Sequence, residues 1–200
     1  MTADANSRIA AVIRIPPQRG GWLEVICGPM FSGKSEEMIR RLRRAEIAGQ
    51  RVVIFKPLID DRYDATDVVS HAGARMRAVP ISSASEIAPG AQGFDVVGID
   101  EAQFLGEDVV GTALDLAGRG VRVVVAGLDQ DYLRRPFGPM PGILALAEEV
   151  DKMHAVCVQC GAPAHYSQRF SGGAEQVQVG DGESYEARCR RCYEAFSPHP

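Results

Sequence analysis

The stretch Gly28-Pro-Met-Phe-Ser-Gly33-Lys34-Ser35 has the spacing G-x4-G-K-[ST]. Glycines at these points let main-chain N–H groups turn inward around phosphate oxygens, at the positive end of the helix that follows. Gly28, Pro29, Met30, Phe31, Ser32, Gly33, Lys34 and Ser35 therefore form a candidate phosphate cradle. Lys34 has the reach for β- and γ-phosphates, and the Ser35 hydroxyl suits Mg²⁺. The plain alternative is a chance glycine turn. A second element is the acidic pair Asp100-Glu101 at the end of an apolar run. An acidic pair at the carboxyl end of a parallel strand sets one carboxylate beside Mg²⁺ and the other beside a nucleophile. Asp100 is then the metal-side acid and Glu101 the base; a solvated acidic turn is the bland reading.

Cysteine is the third signal. Cys157-Val-Gln-Cys160 and Cys189-Arg-Arg-Cys192 are separated by 28 residues. Two such knuckles can each present two thiolates to one tetrahedral zinc ion. Two disulfides or a redox dithiol are the alternatives. The first 20 residues lack the long apolar centre of a secretory signal, so a reducing compartment is expected. The gap between the knuckles exceeds a minimal zinc ribbon's, so a segment must loop out between them. Cys27 stands apart in an apolar run and reads as a small buried hydrophobe.

The elements that must position these groups are legible as an alternation. Trp22–Cys27 reads as a strand ending at a glycine. The segment after Gly33 reads as a helix, with Met38, Ile39, Leu42 and Ala45 at helical spacing, Glu36 and Glu37 in its first turn and Gly49 as its stop. Residues 52–55, 94–100 and 121–126 read as further strands. Residues 107–117 read as a helix with Val110, Ala113, Leu114 and Ala117 on one side. A last helix is expected over 140–151, with Ile143, Leu144, Ala147 and Val150. The stretch from 60 to 80 is polar and irregular. Strands alternating with helices imply a parallel sheet covered on both faces. Composition shifts near residue 153 toward Gly, Cys, Gln and Arg, which reads as a small lobe stapled by metal. The expected organisation is a loosely attached leader over 1–20, a nucleotide-binding domain over 21–152, a zinc lobe over 153–196 and a tail over 197–200.

Bulk properties exclude several classes. With 46% hydrophobic and 24% charged residues, 200 residues can bury a core. The formal net charge of −4 argues against nucleic acid as the main partner. No apolar run approaches the ~20 residues of a membrane helix.

Further stretches complete an ordered set: DDRY over Asp60 to Tyr63, IDEAQF over Ile99 to Phe104, and RRPFG over Arg134 to Gly138. Together with GPMFSGKS and the two cysteine pairs, over roughly residues 22–195, the chain resembles the zinc-containing thymidine kinases of bacteria and animal cytosol. The resemblance implies a RecA-like α/β phosphate-loop sheet with helices on both faces, and a C-terminal zinc lobe carrying a lasso-like substrate loop. It implies transfer of the ATP γ-phosphate to the 5′-hydroxyl of deoxythymidine. Glu101 resembles the catalytic base, Lys34 a phosphate ligand, and Arg62 a residue near the transferred group. Asp60, Ala102 and Gln103 join Asp100 and the phosphate loop on the nucleotide side. Met30, Phe104, Leu128, Tyr132, Ser167, Tyr185 and the base-contacting run Gln176, Val177, Gln178, Val179, Gly180 match nucleoside positions. The loop would run from Ala164 to Tyr185. Cys157, Cys160, Cys189 and Cys192 match the zinc ligands. The resemblance further implies ATP with Mg²⁺, one structural Zn²⁺, feedback inhibition by thymidine triphosphate, a homotetramer and a cytoplasmic location, with no nucleic-acid or membrane partner.

Ser167-Gln-Arg-Phe stands where many members have Thr-Gln-Arg-Leu, and the loop is shorter than in many bacterial members, with Gly172-Gly173 at its tip. Met30 or Phe104 alone would read as core; motif context reverses that. His71 reads as structural, Tyr63 as a weak candidate to pack over nucleotide, and Arg40, Arg41, Arg43 and Arg44 as a solvated helix face or subunit contact. A competing assignment is a RecA-like nucleic-acid-dependent ATPase with a zinc ribbon; another is a structural zinc module with a vestigial phosphate loop, which leaves Lys34, Asp100 and Glu101 without a task.

Overall fold

The computed structural model describes residues 20–58, 67–69, 73, 75–170 and 184–194. Residues 1–19 of the expected leader, the expected tail, and Asp60, Arg62, Tyr63, His71, Gly172, Gly173 and Gln176 to Gly180 lie outside these residues.

In chain order the first lobe contains β1 (Trp22–Cys27), α1 (Lys34–Ile47), β2 (Val52–Pro57), β3 (Asp67–Val69), β4 (Arg75–Arg77), β5 (Val79–Ile81), α2 (Ile87–Gly90), β6 (Val96–Ile99), α3 (Asp108–Gly118), β7 (Arg122–Gly127), α4 (Met140–Leu146) and β8 (Glu149–Lys152). Six of these strands form one parallel sheet in the order β5-β2-β6-β7-β1-β8. The strand ending in the phosphate loop and the strand ending in the acidic pair are separated by β7, which is the RecA-like order. Alternate residues of each strand feed two cores, as a doubly covered sheet demands. Leu23, Val25, Val97, Ile99, Val123 and Val125 face α3 and α4. Ile26, Ile54, Val96, Val124 and Ala126 face Met38, Ile39, Leu42 and Ala45 of α1.

The sequence pattern misjudged four points. The expected helix over 140–151 stops at Leu146, Ala147 is extended (φ −75°, ψ 140°), and the chain becomes the edge strand β8. There it supplies ladder partners to Glu24 through Cys27 that β1 would otherwise lack, and Val150 is left 45% exposed. Helix α3 buries Val109, Ala113 and Leu116, while Leu114 is exposed and Val110 and Ala117 lie at the margin. Adjacent apolar pairs at 109–110 and 113–114 permit either phase, and packing on β1, β7 and the Ala84–Glu86 turn selects this one. The polar stretch 60–80 holds the antiparallel pair β3–β4 and the sheet edge β5, each of only three residues. Arg41 is not on a solvated face: it is 5% exposed and bonds Glu24 (2.7 Å), Glu37 (2.8 Å) and Asp151. Glu24 is also held by Arg122 (2.6 Å) and Glu37 by Arg40 (2.6 Å), so six charges from α1, β1, β7 and β8 are tied together. Arg40, Arg43 and Arg44 are exposed.

The C-terminal lobe consists of two ribbons: β9 (Ala155–Val156) with β10 (Pro163–Ala164), and β11 (Tyr166–Arg169) with β12 (Tyr185–Arg188), both antiparallel. The ends of the expected substrate loop are thus strands, paired from Tyr166↔Arg188 to Arg169↔Tyr185. No helix among the described residues is long and apolar enough to cross a membrane.

Candidate active site

β1 delivers the chain to the phosphate loop at Cys27, whose burial pushes its thiol up to about 11. Gly28 follows at φ 139°, and a Cβ there would stand 2.4 Å from the Met153 carbonyl oxygen. Only glycine lets the loop lie against the end of β8. Gly33 precedes α1, and no side chain caps that helix, so its first N–H groups are available to an anion. Lys34 is buried and its Nζ donates to the Pro29 carbonyl (2.8 Å), which also accepts from Ser32 Oγ (2.8 Å). Burial holds Lys34 below the ordinary lysine value, opposed by the charges of Glu101, Asp100 and Asp129. Ser35 is half-buried in the first turn of α1.

β6 delivers the acidic pair beside this loop. Asp100 is buried, and burial followed by the charge of Glu101 pushes its carboxyl up to about 7, against the pull of Lys56 and Lys34. Glu101 takes the left-handed conformation (φ 52°) at the start of the Ala102–Phe104 turn. A non-glycine residue held there is strained. Buried Gln103 spans two strand ends: its amide nitrogen donates to Glu101 Oε2, and its Oε1 accepts from the Leu128 N–H at 2.9 Å. Gly138 (φ 47°) explains the glycine of RRPFG, since a Cβ there would lie 2.4 Å from the Gln103 carbonyl oxygen.

The expected nucleoside residues fall into connected groups. The Met30 N–H donates to Ser167 Oγ (3.0 Å), joining the phosphate loop to β11. Phe31 packs on the apolar centre of the C-terminal lobe. Phe104 meets Phe137 edge-on at 5.6 Å. Leu128 is tied to Glu101 through Gln103. Tyr132 and Tyr185 are both buried against Arg169, whose guanidinium lies 4.0 Å over the Tyr132 ring and donates from Nε to the Tyr185 hydroxyl (2.9 Å). Sequence reasoning passed over Arg169 and also the pair Asp129–Lys152 (2.6 Å) beside the loop. Nothing in the local pattern marks Arg169 as 1% exposed; the Arg in Ser167-Gln-Arg-Phe was the one available signal.

The four cysteines of the knuckles converge, with ligand atoms all within 4.8 Å of one another and Cys160 Sγ 3.6 Å from Cys189 Sγ. A tetrahedral zinc with bonds of about 2.3 Å requires S···S separations of about 3.8 Å, so the donor set fits that ion. All five cysteines are free thiols, which disposes of the disulfide alternative in this structure. Against the cost of burial, N–H groups of Cys189, Cys160 and Gln159 draw the Cys157 thiol down to about 6, while the neighbouring Cys160 and Cys189 push Cys192 up to about 12, so without a cation the four sulfurs do not all become thiolates together.

The family model described as thymidine kinase matches residues 21–193. The chain belongs to the thymidine kinase family. A thymidine kinase of Rhodothermus sp. (strain ITI 518) is 55% identical over 178 residues, 89% of this chain and 84% of that one. Thymidine kinase of Porphyromonas gingivalis (strain ATCC 33277) is 55% identical over 182 residues, 91% of this chain and 89% of that one. Among solved structures, the flagellar accessory protein FlaH of Methanocaldococcus jannaschii matches with a TM-score of 0.47 at 12% identity, covering 78% of this chain and 75% of that one. The thymidine kinase family uses ATP with Mg²⁺.

Proposed function

We propose that the chain transfers the γ-phosphoryl group of ATP to the 5′-hydroxyl of thymidine, giving dTMP, by in-line attack at the carboxyl ends of β1, β6 and β7. Thymidine kinase activity follows from family membership and from relatives at 55% identity over most of both chains. What supports the residue assignment is that β1 and β6, one strand apart in the sheet, lead into the loop of buried Lys34 and into the Asp100-Glu101 pair, whose charges oppose the lowering of the lysine by burial. Glu101 accepts the 5′-hydroxyl proton. Lys34, the N–H groups at the start of α1 and Arg62 hold the phosphates. Ser35 and Asp100 are the ligands for Mg²⁺, which when bound neutralises charge on the transferring group. Asp60, Ala102 and Gln103 complete the nucleotide side.

Thymidine is received by Met30, Phe104, Leu128, Tyr132, Ser167 and Tyr185, with Gln176 to Gly180 assigned to the base by the family resemblance alone. Cys157, Cys160, Cys189 and Cys192 bind one Zn²⁺ and leave it no position for water, so its task is structural. The working division is a kinase lobe over 21–152 and a zinc lobe over 153–196. Feedback inhibition by thymidine triphosphate, a homotetramer and a cytoplasmic location belong to the same reading. ATP turnover measured separately with thymidine and with single-stranded DNA tests it. Consumption with thymidine alone, yielding dTMP, is expected; turnover that needs DNA would favour a nucleic-acid-dependent ATPase.

A further inference from the structure

We infer that Arg169 is a positioning residue for the nucleoside pocket, through which the zinc lobe sets the orientation of Tyr132. The inference rests on the thymidine kinase reading and adds a residue to it. Tyr132 lies on the turn that follows β7, in the kinase lobe, yet two of its partners come from the other lobe. The Arg169 guanidinium of β11 lies 4.0 Å over its ring, and the Tyr193 hydroxyl donates to its carbonyl at 2.6 Å. Arg169 also holds the Tyr185 hydroxyl (2.9 Å), so one buried cation fixes two aromatic rings of the pocket. The turn is gripped again two residues on. Arg134, in the left-handed conformation at φ 63°, lies over the rings of Tyr193 (4.6 Å) and Tyr166 (5.6 Å).

A guanidinium over an aromatic face is strongest where water is excluded, which is the setting of Arg169 and Tyr132. The Arg169 guanidinium over its face restrains the Tyr132 ring. The contact makes no demand on phosphate chemistry, so its loss should appear in nucleoside binding and leave the transfer step largely intact.

The test is steady-state kinetics on Arg169→Met, Arg169→Lys and Tyr193→Phe beside the wild-type chain, with zinc content and ATP Kd measured on the same preparations. Arg169→Met is expected to raise the thymidine KM at least tenfold, with kcat within about threefold and one zinc retained. Lysine keeps the cation but not its planar face, so Arg169→Lys should fall between the two. An Arg169→Met enzyme with a thymidine KM within twofold of wild type overturns the inference. So does a joint loss of kcat, ATP affinity and zinc that lysine does not rescue. Should neither Arg169 variant be soluble, Tyr193→Phe decides: a threefold or larger rise in thymidine KM supports the inference and a wild-type KM overturns it. Wild type that ignores thymidine would instead refute the proposed function.

Discussion

Replacing Cys189 with serine is expected to cost the chain its thymidine site well before its ATP site. The apolar centre of the zinc lobe is Ala155, Cys157, Ala164, Ala187 and Cys189. Two of these are metal ligands, and the others contribute three methyl groups worth about 0.8 kcal/mol each when buried. Even with the buried rings of Tyr166 and Tyr185, at about 1.5–3 kcal/mol each, this cannot order two ribbons when each residue loses about 1–2 kcal/mol of backbone entropy. A structural zinc contributes on the order of 10–16 kcal/mol, so on the proposed reading the lobe would stand on its metal. The loss reaches the phosphate loop through the Met30–Ser167 hydrogen bond (3.0 Å) and the packing of Phe31 on the lobe. One hydrogen bond of about 1 kcal/mol and a half-buried ring of about 1 kcal/mol bound the effect on ATP at roughly thirtyfold in Kd. Zinc content, ATP Kd, thymidine KM and amide exchange should be measured on one soluble preparation. Amides bonded from Cys157 to Ala162, Val158 to Ala187 and His165 to Arg188 should lose protection while the β1–β7 ladder keeps it. Protected lobe amides and an unchanged thymidine KM with the metal gone would refute the reasoning.

Glu101→Gln should keep ATP affinity and lose about 10²–10⁴-fold in kcat; near-normal turnover by a folded variant removes Glu101 from the base role. Arg41→Met leaves Glu24, Glu37 and Asp151 to share Arg122 and Arg40, for a loss of about 3 kcal/mol at pH 7, the low end for a broken buried pair because two cations remain. That corresponds to roughly 6–12 °C in Tm by thermal denaturation. Arg40 first, and then Arg41, hold Glu37 down to about 2 despite partial burial. A depressed carboxylate stabilises above its unfolded value near 4.5 and loses this as pH falls through its folded value, so the gap between wild type and Arg41→Met should narrow between those limits. A gap constant down to about pH 2.5 would contradict the assignment. Gly28→Ala, whose methyl would meet the Met153 carbonyl at 2.4 Å, should weaken ATP binding at least about a hundredfold by calorimetry. Wild-type affinity would show that the loop need not lie against β8.

What could be read in advance was what repeats or has fixed spacing. The phosphate loop, the acidic pair and the knuckles are chemistry at set intervals, and the central strands are apolar runs. Strand β8 was not legible, because Glu-Val-Asp-Lys suits helix or edge strand equally and only the open side of β1 decides between them. Arg41 sits in a run of arginines that looks solvated, and its burial depends on acids 17 and 110 positions away in the chain. Gln103 was legible as part of IDEAQF but its bridging of Glu101 and Leu128 was not, since that contact exists only once β6 and β7 lie side by side. The roles of Asp60, Arg62 and Gln176 to Gly180 still rest on the family resemblance.

Backbone strain ties the phosphate loop and the turn after β7 to the C-terminal lobe. Among the described residues three non-glycines have positive φ: Phe31, Glu101 and Arg134. Each follows one of the adjacent strands β1, β6 and β7 at its carboxyl end, where the site is built. Conformations of this kind cost on the order of 1–3 kcal/mol and persist only where neighbours over-determine them. Glu101 is held from within the kinase lobe, by Gln103. Arg134 is held partly by its own turn, where Asp131 Oδ1 accepts from the N–H groups of Leu133 and Arg135 (both 2.9 Å). Its guanidinium, however, lies over Tyr166 and Tyr193 of the zinc lobe, and Phe31 packs on that lobe's apolar centre. Two of the three strained residues, one in the phosphate loop and one beside the nucleoside turn, therefore depend on the metal-organised lobe. On the proposed reading the zinc ion would take no part in the chemistry, yet the backbone at Phe31 and Arg134 is expected to relax if it leaves.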